Sequence, residues 1–384
     1  MVRRGRALAA LCACLGLAAP AGASTERDET RAAMKQIFAS MKVLLPLSTN
    51  EERFASPQNR AAVLAALESL AEHADQVAQH AREEDAARRY IGSSLATDAR
   101  DALERYREGR TESAAFLVQQ ATENCIACHT RLPSPGDSPL SQHFVDKSAL
   151  NAMPMAERVR LLVATRQFDE ALAAYEALFA DPQVSPAEMV VPLTDYLIVA
   201  VRVKGDYQRP VPVLQRFARR PDVWRSLRLD VDEWVQALPQ LRPLADAPPD
   251  LATARRLIDE AQHLVPYPAD RRGLVHDVVA SSILYRLLEA KPTSKRDQAE
   301  AYYLLGVAET QLGEMYWEPQ AEVYLETAIR MAPDQPFAEP AFALLEEQTL
   351  LAYTGSSGVH APASVTKHLE ELRALVDAGK GVPK

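Results

Sequence analysis

Residues Thr111–Leu132 read TESAAFLVQQATENCIACHTRL, and the rest of the chain is best read outward from them. Leu117, Ala121, Cys125 and Cys128 recur at spacings of four, four and three. That places them on one face of an amphipathic helix, with Thr111 as its cap and Pro133 just past its end. Near that end stands Cys125-Ile126-Ala127-Cys128-His129.

Three more helical stripes precede it. Met34, Ile37, Met41, Leu44 and Leu45 mark the first, from about Glu26 to Leu45, capped by Thr25 with Asp28 and stopped by Pro46 and Ser48-Thr49-Asn50. Val63, Leu67, Leu70, Ala74, Val77 and Ala81 mark the second, with Ser56 as cap and Pro57 at the first helical position. Ile91, Leu95, Ala99, Ala102 and Tyr106 mark the third, from about Ala86 to Glu108, with Gly109 as its stop. Four helices joined by short loops predict an up-down-up-down bundle over residues 24–132.

Cysteine, two spacers, cysteine and histidine is the spacing of covalent haem attachment. Two thiols add across the two vinyl groups of one porphyrin edge, and at i and i+3 of a helix they face one way. The next residue, His129, is then carried to the iron as its axial ligand, so one haem c with its iron is expected on Cys125, Cys128 and His129. Other readings of the pair fit less well. A thioredoxin-like pair opens a helix after a strand, zinc wants four ligands, and a disulfide at this spacing inside a helix is strained.

Four helices with the motif near the end of the last resemble class II c-type cytochromes, the cytochrome c prime family. The resemblance covers about Thr25 to Leu132. It implies a four-helix bundle with one haem, whose sixth iron position is either open or filled by a methionine from the first helix. Arg31-Ala32-Ala33-Met34-Lys35 is similar to the arginine, methionine-lysine segment of the methionine-ligated members, with one residue fewer between arginine and methionine. Met34 is therefore the expected sixth ligand, with Met41 two turns further along and an open site as the alternatives. His73 and His80 read as boundary histidines beside the second stripe. Arg131 and Lys35 are candidates to meet haem propionates, and read more simply as solvated charges.

The N-terminus predicts export. Arg3, Arg4 and Arg6 precede an apolar stretch from Ala7 to Ala19, and Ala21-Gly22-Ala23 is a small-residue cleavage site before Ser24. Residues 1–23 are thus a signal peptide and the protein is expected in the periplasm. Leu11-Cys12-Ala13-Cys14 faintly resembles a lipoprotein box, but Cys12 stands where a small or aliphatic residue is usual. Cleavage before Ser24 removes Cys12 and Cys14, leaving Cys125 and Cys128 as the only cysteines, and takes the formal charge from −9 to −12. That charge disfavours nucleic acid and anionic membrane surfaces as partners. No later run of roughly 18 apolar residues predicts a membrane span.

At 384 residues the chain exceeds one typical core, so two domains are expected. Its wealth of Ala, Leu, Glu and Arg predicts an all-α class. Residues 133–147 read as a linker punctuated by Pro133, Pro135, Gly136 and Pro139. Residues 148–384 are again helical. Ala156 to Pro182 predict a helical hairpin turning at Arg166-Gln167, with Phe168, Ala171, Tyr175 and Leu178 inward. Ala301 to Pro333 repeat that logic with Tyr302, Leu305 and Gly306 against Ala321, Leu325 and Ala328. A poorer echo lies around Tyr196 to Pro210, with Gly205-Asp206-Tyr207 at the turn. These stretches resemble tetratricopeptide repeats, helical hairpins of about 34 residues that stack into a solenoid.

The function expected from these features is electron transfer by a periplasmic c-type cytochrome, with no enzymatic site. The helical second half would be a docking module for a redox partner protein. Two other readings stay open: a five-coordinate haem that binds or senses nitric oxide or carbon monoxide, and an assembly scaffold stapled by haem.

Overall fold

Helix is what an Ala-, Leu- and Glu-rich chain forms, and sixteen α-helices with one two-stranded hairpin make up the described part of the molecule. The computed structural model describes residues 21–81, 85–134, 153, 155–265, 270–291, 294–313 and 320–381. The expected signal peptide up to residue 20, and residues 135–147 of the expected linker, lie outside them.

The first half is built from α1 (Ala21–Ser48), a short α2 (Glu51–Ala55), α3 (Arg60–His80), α4 (Ala86–Arg107) and α5 (Thr111–His129). The stripes read from the sequence form its core. Ile37, Leu44, Val63, Leu67, Leu70, Ala74, Leu95, Ala99, Ala102 and Tyr106 are all buried. α1 packs along α3, α3 along α4 and α4 along α5, while α1 and α5 touch much more sparingly.

The expected caps need correction. Thr25 lies inside α1, which runs on through Pro46 to Ser48. A proline in the last turn deprives the helix of a single hydrogen bond, and the helix stops within two residues. Ser56 closes α2 instead of opening α3, Pro57 sits in the following turn, and Asn59 takes the cap position of α3. The cause is Phe54, which is fully buried. The five residues of α2, capped by Asn50 accepting from Arg53 N at 2.9 Å, turn Phe54 edge-on to Tyr106 at 5.2 Å. Tyr106 Oη donates to Phe54 O at 3.1 Å to fix the pair. Thr111 is the first residue of α5, with Arg110 before it. Gly109, at φ 82°, turns the chain so tightly that no residue is left over for a hydroxyl cap.

The second half comprises α6 (Met155–Ala164), α7 (Phe168–Ala180), α8 (Val190–Leu197), a single π-helical turn (Ile198–Val203), α9 (Pro210–Ala218) and α10 (Arg225–Leu241). It continues with α11 (Leu251–Leu264), α12 (Leu274–Glu289), α13 (Lys295–Leu312), α14 (Gln320–Met331), α15 (Ala338–Leu351), the hairpin β1 (Thr354–Gly355) and β2 (Gly358–Val359), and α16 (Ala363–Lys380). Most neighbours in sequence pack as pairs, most extensively α13 with α14, while α10 packs on α12. Gly306 makes that approach fit, because a Cβ there would come within 2.5 Å of Leu325 Cγ. The hairpin between α6 and α7 turns at Thr165-Arg166-Gln167, with Arg166 in the left-handed region at φ 61°.

The two halves share one hydrophobic core that runs from Ala33 in α1 to Phe337 before α15. α5 packs on α6 and α4 packs on α14. Even the start of the expected linker is docked: Ser134 N donates to Val203 O at 2.8 Å, and Arg166 Nη2 donates to Ser134 Oγ at 2.6 Å. No helix among the described residues is long and apolar enough to cross a membrane.

Candidate functional site

Cys125, Cys128 and His129 occupy the last two turns of α5, and both cysteines are free thiols, each half-buried. Cys125 Sγ donates to Ala121 O at 3.4 Å, the usual resting place of a helical thiol with no stronger partner. Burial pushes the Cys125 thiol up to about 12, with the neighbouring Cys128 adding to the rise. Burial raises Cys128 as well, against the pull of Arg131 and Arg88. Both sulfurs are therefore neutral thiols at physiological pH, the state in which addition across a vinyl group leaves a neutral thioether.

His129 is the most defined member. Its Nδ1 lies 2.8 Å from the carbonyl oxygen of Ala164, the last residue of α6. A carbonyl only accepts, so the proton sits on Nδ1 and the lone pair is left on Nε2. Burial, reinforced by the nearby Arg166 charge, lowers His129 to about 4 despite that hydrogen bond, so the ring stays neutral. A neutral imidazole with Nδ1 tied to a carbonyl and Nε2 open is the form that ligates a metal.

The seam beside these residues is the loosest in the bundle. α1 and α5 are antiparallel, and Gln119 Nε2 donates to Ser48 O at 2.7 Å. From Gln119 to His129 is about 15 Å along α5, and the same rise back from Ser48 ends near Phe38. Met34 lies one turn beyond Phe38, and Met41 about one turn before it. Met34 and Phe38 on α1, and Leu117 and Cys125 on α5, are the apolar side chains left half-buried there, whereas Met41 is only 4 % exposed. The thioether that can turn toward an iron without emptying a core position is therefore Met34.

Two thiols on one face, one neutral imidazole with its outer nitrogen free, and a loosely closed apolar seam fit a covalently held haem. They would not cage a bare ion, and among the described residues no group of three His, Cys, Asp or Glu side chains gathers to do so. His73 and His80 behave as boundary residues: His73 Nδ1 lies 2.7 Å from Ser69 O, and His80 Nε2 lies 3.8 Å from Glu29.

Arg131 is not the solvated charge expected. It is 5 % exposed, pairs with Asp85 at 2.8 Å and lies over the Tyr285 ring at 4.9 Å. Asp85 caps α4 by accepting from Ala87 N and Arg88 N at 3.0 and 3.1 Å. Burial pushes its carboxyl up, but Arg131 outweighs this and holds it below the ordinary value. Around the pair, Tyr302 Oη accepts from Ala86 N at 3.4 Å, and Arg88 Nη2 meets Glu289 at 2.8 Å. The buried Arg202 also lies over the Tyr285 ring, at 5.1 Å, and donates to Ser281 Oγ at 2.6 Å and Glu309 Oε1 at 2.9 Å. Lys35 is exposed, as expected of a solvated cation.

No family model, no curated protein and no solved structure matches this chain. The reading of the site therefore rests on its own chemistry.

Proposed function

We propose that this protein is an exported c-type cytochrome that holds one haem covalently through Cys125 and Cys128, with His129 as axial ligand, and transfers electrons to a partner protein. The observation that carries the reading is the His129 Nδ1 to Ala164 O bond at 2.8 Å, which leaves Nε2 as the free nitrogen. When bound, haem supplies an iron that gains or loses one electron. The chain's residues fix what surrounds it. Cys125 and Cys128 would hold the group covalently, Ala164 O fixes the tautomer and orientation of the imidazole that would ligate it, and the half-buried Met34 of α1 would be the available thioether. Histidine with methionine keeps an iron low-spin and raises its potential. The shared core leaves little to rearrange between redox states.

Phe38 supports a second reading. It sits near the level of His129 on α1, and in that position it would cover an open sixth site, as suits binding of nitric oxide or carbon monoxide. The optical and EPR spectra of the ferric protein separate the two. A low-spin signal with a sulfur-to-iron band supports electron transfer, and a high-spin signal supports gas binding. Absence of covalent haem from exported wild-type protein would overturn both, whereas Cys125→Ala with Cys128→Ala is expected to abolish haem staining on a denaturing gel.

A further inference from the structure

The second half carries a surface that the haem reading leaves unused. Between Arg209 and Leu229 the chain has six arginines and one acid, Asp222, in a protein of formal charge −9. Four of those arginines are carried by the packed pair α9 and α10: Arg216 and Arg219 at the end of α9, and Arg225 and Arg228 at the start of α10. All four are exposed, and among the described residues none has a carboxylate partner. Arg219 and Arg228 both line a cleft between the two helices, together with Asp232.

Two large apolar side chains stand among these charges. Trp224 is 42 % exposed and Leu229 is 51 % exposed. The turn that presents Trp224 is braced from beneath. Arg220 donates to Phe179 O, Asp181 O and Val184 O at 3.0, 2.8 and 2.8 Å and pairs with Asp222 at 2.7 Å. Arg228 Nη2 donates to Val223 O at 3.0 Å. An indole held outward on an ordered turn loses little conformational freedom on binding, and Trp flanked by Arg is the composition of interface anchors.

We propose that the α9–α10 surface docks an acidic protein segment that carries an apolar side chain at its centre, the acids meeting the arginines and the apolar group covering Trp224 and Leu229. A protein segment suits the surface better than an anionic bilayer. Asp232 and Glu233 follow on the same helix, and a flat membrane wider than the screening length of about 8 Å would meet them and the acidic remainder of the molecule. A narrow segment need not reach the acidic remainder of the molecule, although Asp232 lines the cleft beside Arg219 and Arg228. The proposal deepens the docking part of the function above and does not depend on haem.

The test uses the full-length exported protein and a labelled ten-residue peptide, Leu-Phe flanked by four acids on each side, followed by fluorescence anisotropy. Wild type is expected to bind it. Trp224→Ala, Arg219→Glu and Arg225→Glu are each expected to weaken binding about 10-fold, as is replacing Leu-Phe in the peptide by Gly-Ser. Unchanged melting temperatures establish that the surface variants fold. Equal binding by Trp224→Ala, or by the Gly-Ser peptide, reduces the surface to a charge effect and overturns the proposal. So does failure of wild type to bind, or binding to phosphatidylglycerol vesicles that competes with the peptide through the same arginines. Haem content of each variant is measured separately. Its loss from wild type bears on the haem reading and leaves the peptide result intact.

Discussion

Met34 and Asp195 each make a prediction of their own. Met34→Leu keeps the volume of a half-buried position and removes its sulfur, so the ferric protein should pass from low to high spin. The visible spectrum checks it, and an unchanged spectrum rules Met34 out as ligand. Asp195 concerns stability alone. Burial pushes its carboxyl up to about 7 from an ordinary 3.8, while Tyr175 Oη donates to its Oδ2 at 3.2 Å and its Oδ1 is buried without a hydrogen-bond partner. An acid whose folded value lies above its unfolded value favours the folded state fully below about pH 4, and that contribution is lost as pH rises through 7. Asp195→Asn cannot ionise, so it should match wild type near pH 4 and exceed it at pH 8 by on the order of 2 kcal/mol. Urea midpoints at the two pH values decide this, and equal midpoints at pH 8 would mean that water reaches the carboxylate.

Among the elements, the α13–α14 pair depends on a missing side chain. Gly306→Ala sets a methyl against Leu325 Cγ and Cδ2, at 2.5 and 2.6 Å, with Ala321 O at 3.3 Å behind. The pair must then part or Leu325 must leave its rotamer, so a loss of about 1–3 kcal/mol is expected in chemical denaturation, with haem attachment unaffected. The two helices were legible in the sequence from the periods that set Tyr302, Leu305 and Gly306 on one and Ala321, Leu325 and Ala328 on the next, whereas the close approach of Gly306 to Leu325 is a contact between helices that no single period specifies. The stripes of α1, α3 and α4 were legible for the same reason. The short α2 was not: its five residues exist to bury Phe54 against Tyr106, and nothing local links positions 54 and 106. Nor was the acceptor for His129, since the spacing Cys125-x-x-Cys128-His129 points only to the side chains of the proposed haem site and says nothing of a carbonyl 35 residues later. Ser56-Pro57 gave a true turn signal that was assigned to the wrong helix.

For the whole molecule, the decisive contact is Arg131 with Asp85 and Tyr285, where the C-terminal end of α5 meets both the start of α4 and α12. Arg131→Met leaves the half-buried Asp85 carboxylate with only Arg88 as a cation, at 3.6 Å, a change expected to cost about 1–3 kcal/mol. Because the halves share a core, wild type should unfold in one calorimetric transition, and this variant should lower it or split it in two. Two well-separated transitions in wild type would show that the halves are energetically independent. The bond from His129 to Ala164 has a consequence in time as well as in space. Under the proposed export, translocation delivers the chain from its N-terminus, so Cys125 to His129 would reach the far side while Ala164 is still behind them. During that interval the imidazole would be free to swing and both thiols would be open to the proposed haem and to whatever attaches it. Once α6 follows, the ring is locked and the site is walled by its own second half. On that proposal the order of residues would act as a schedule, with the cofactor admitted first and the door hung afterwards.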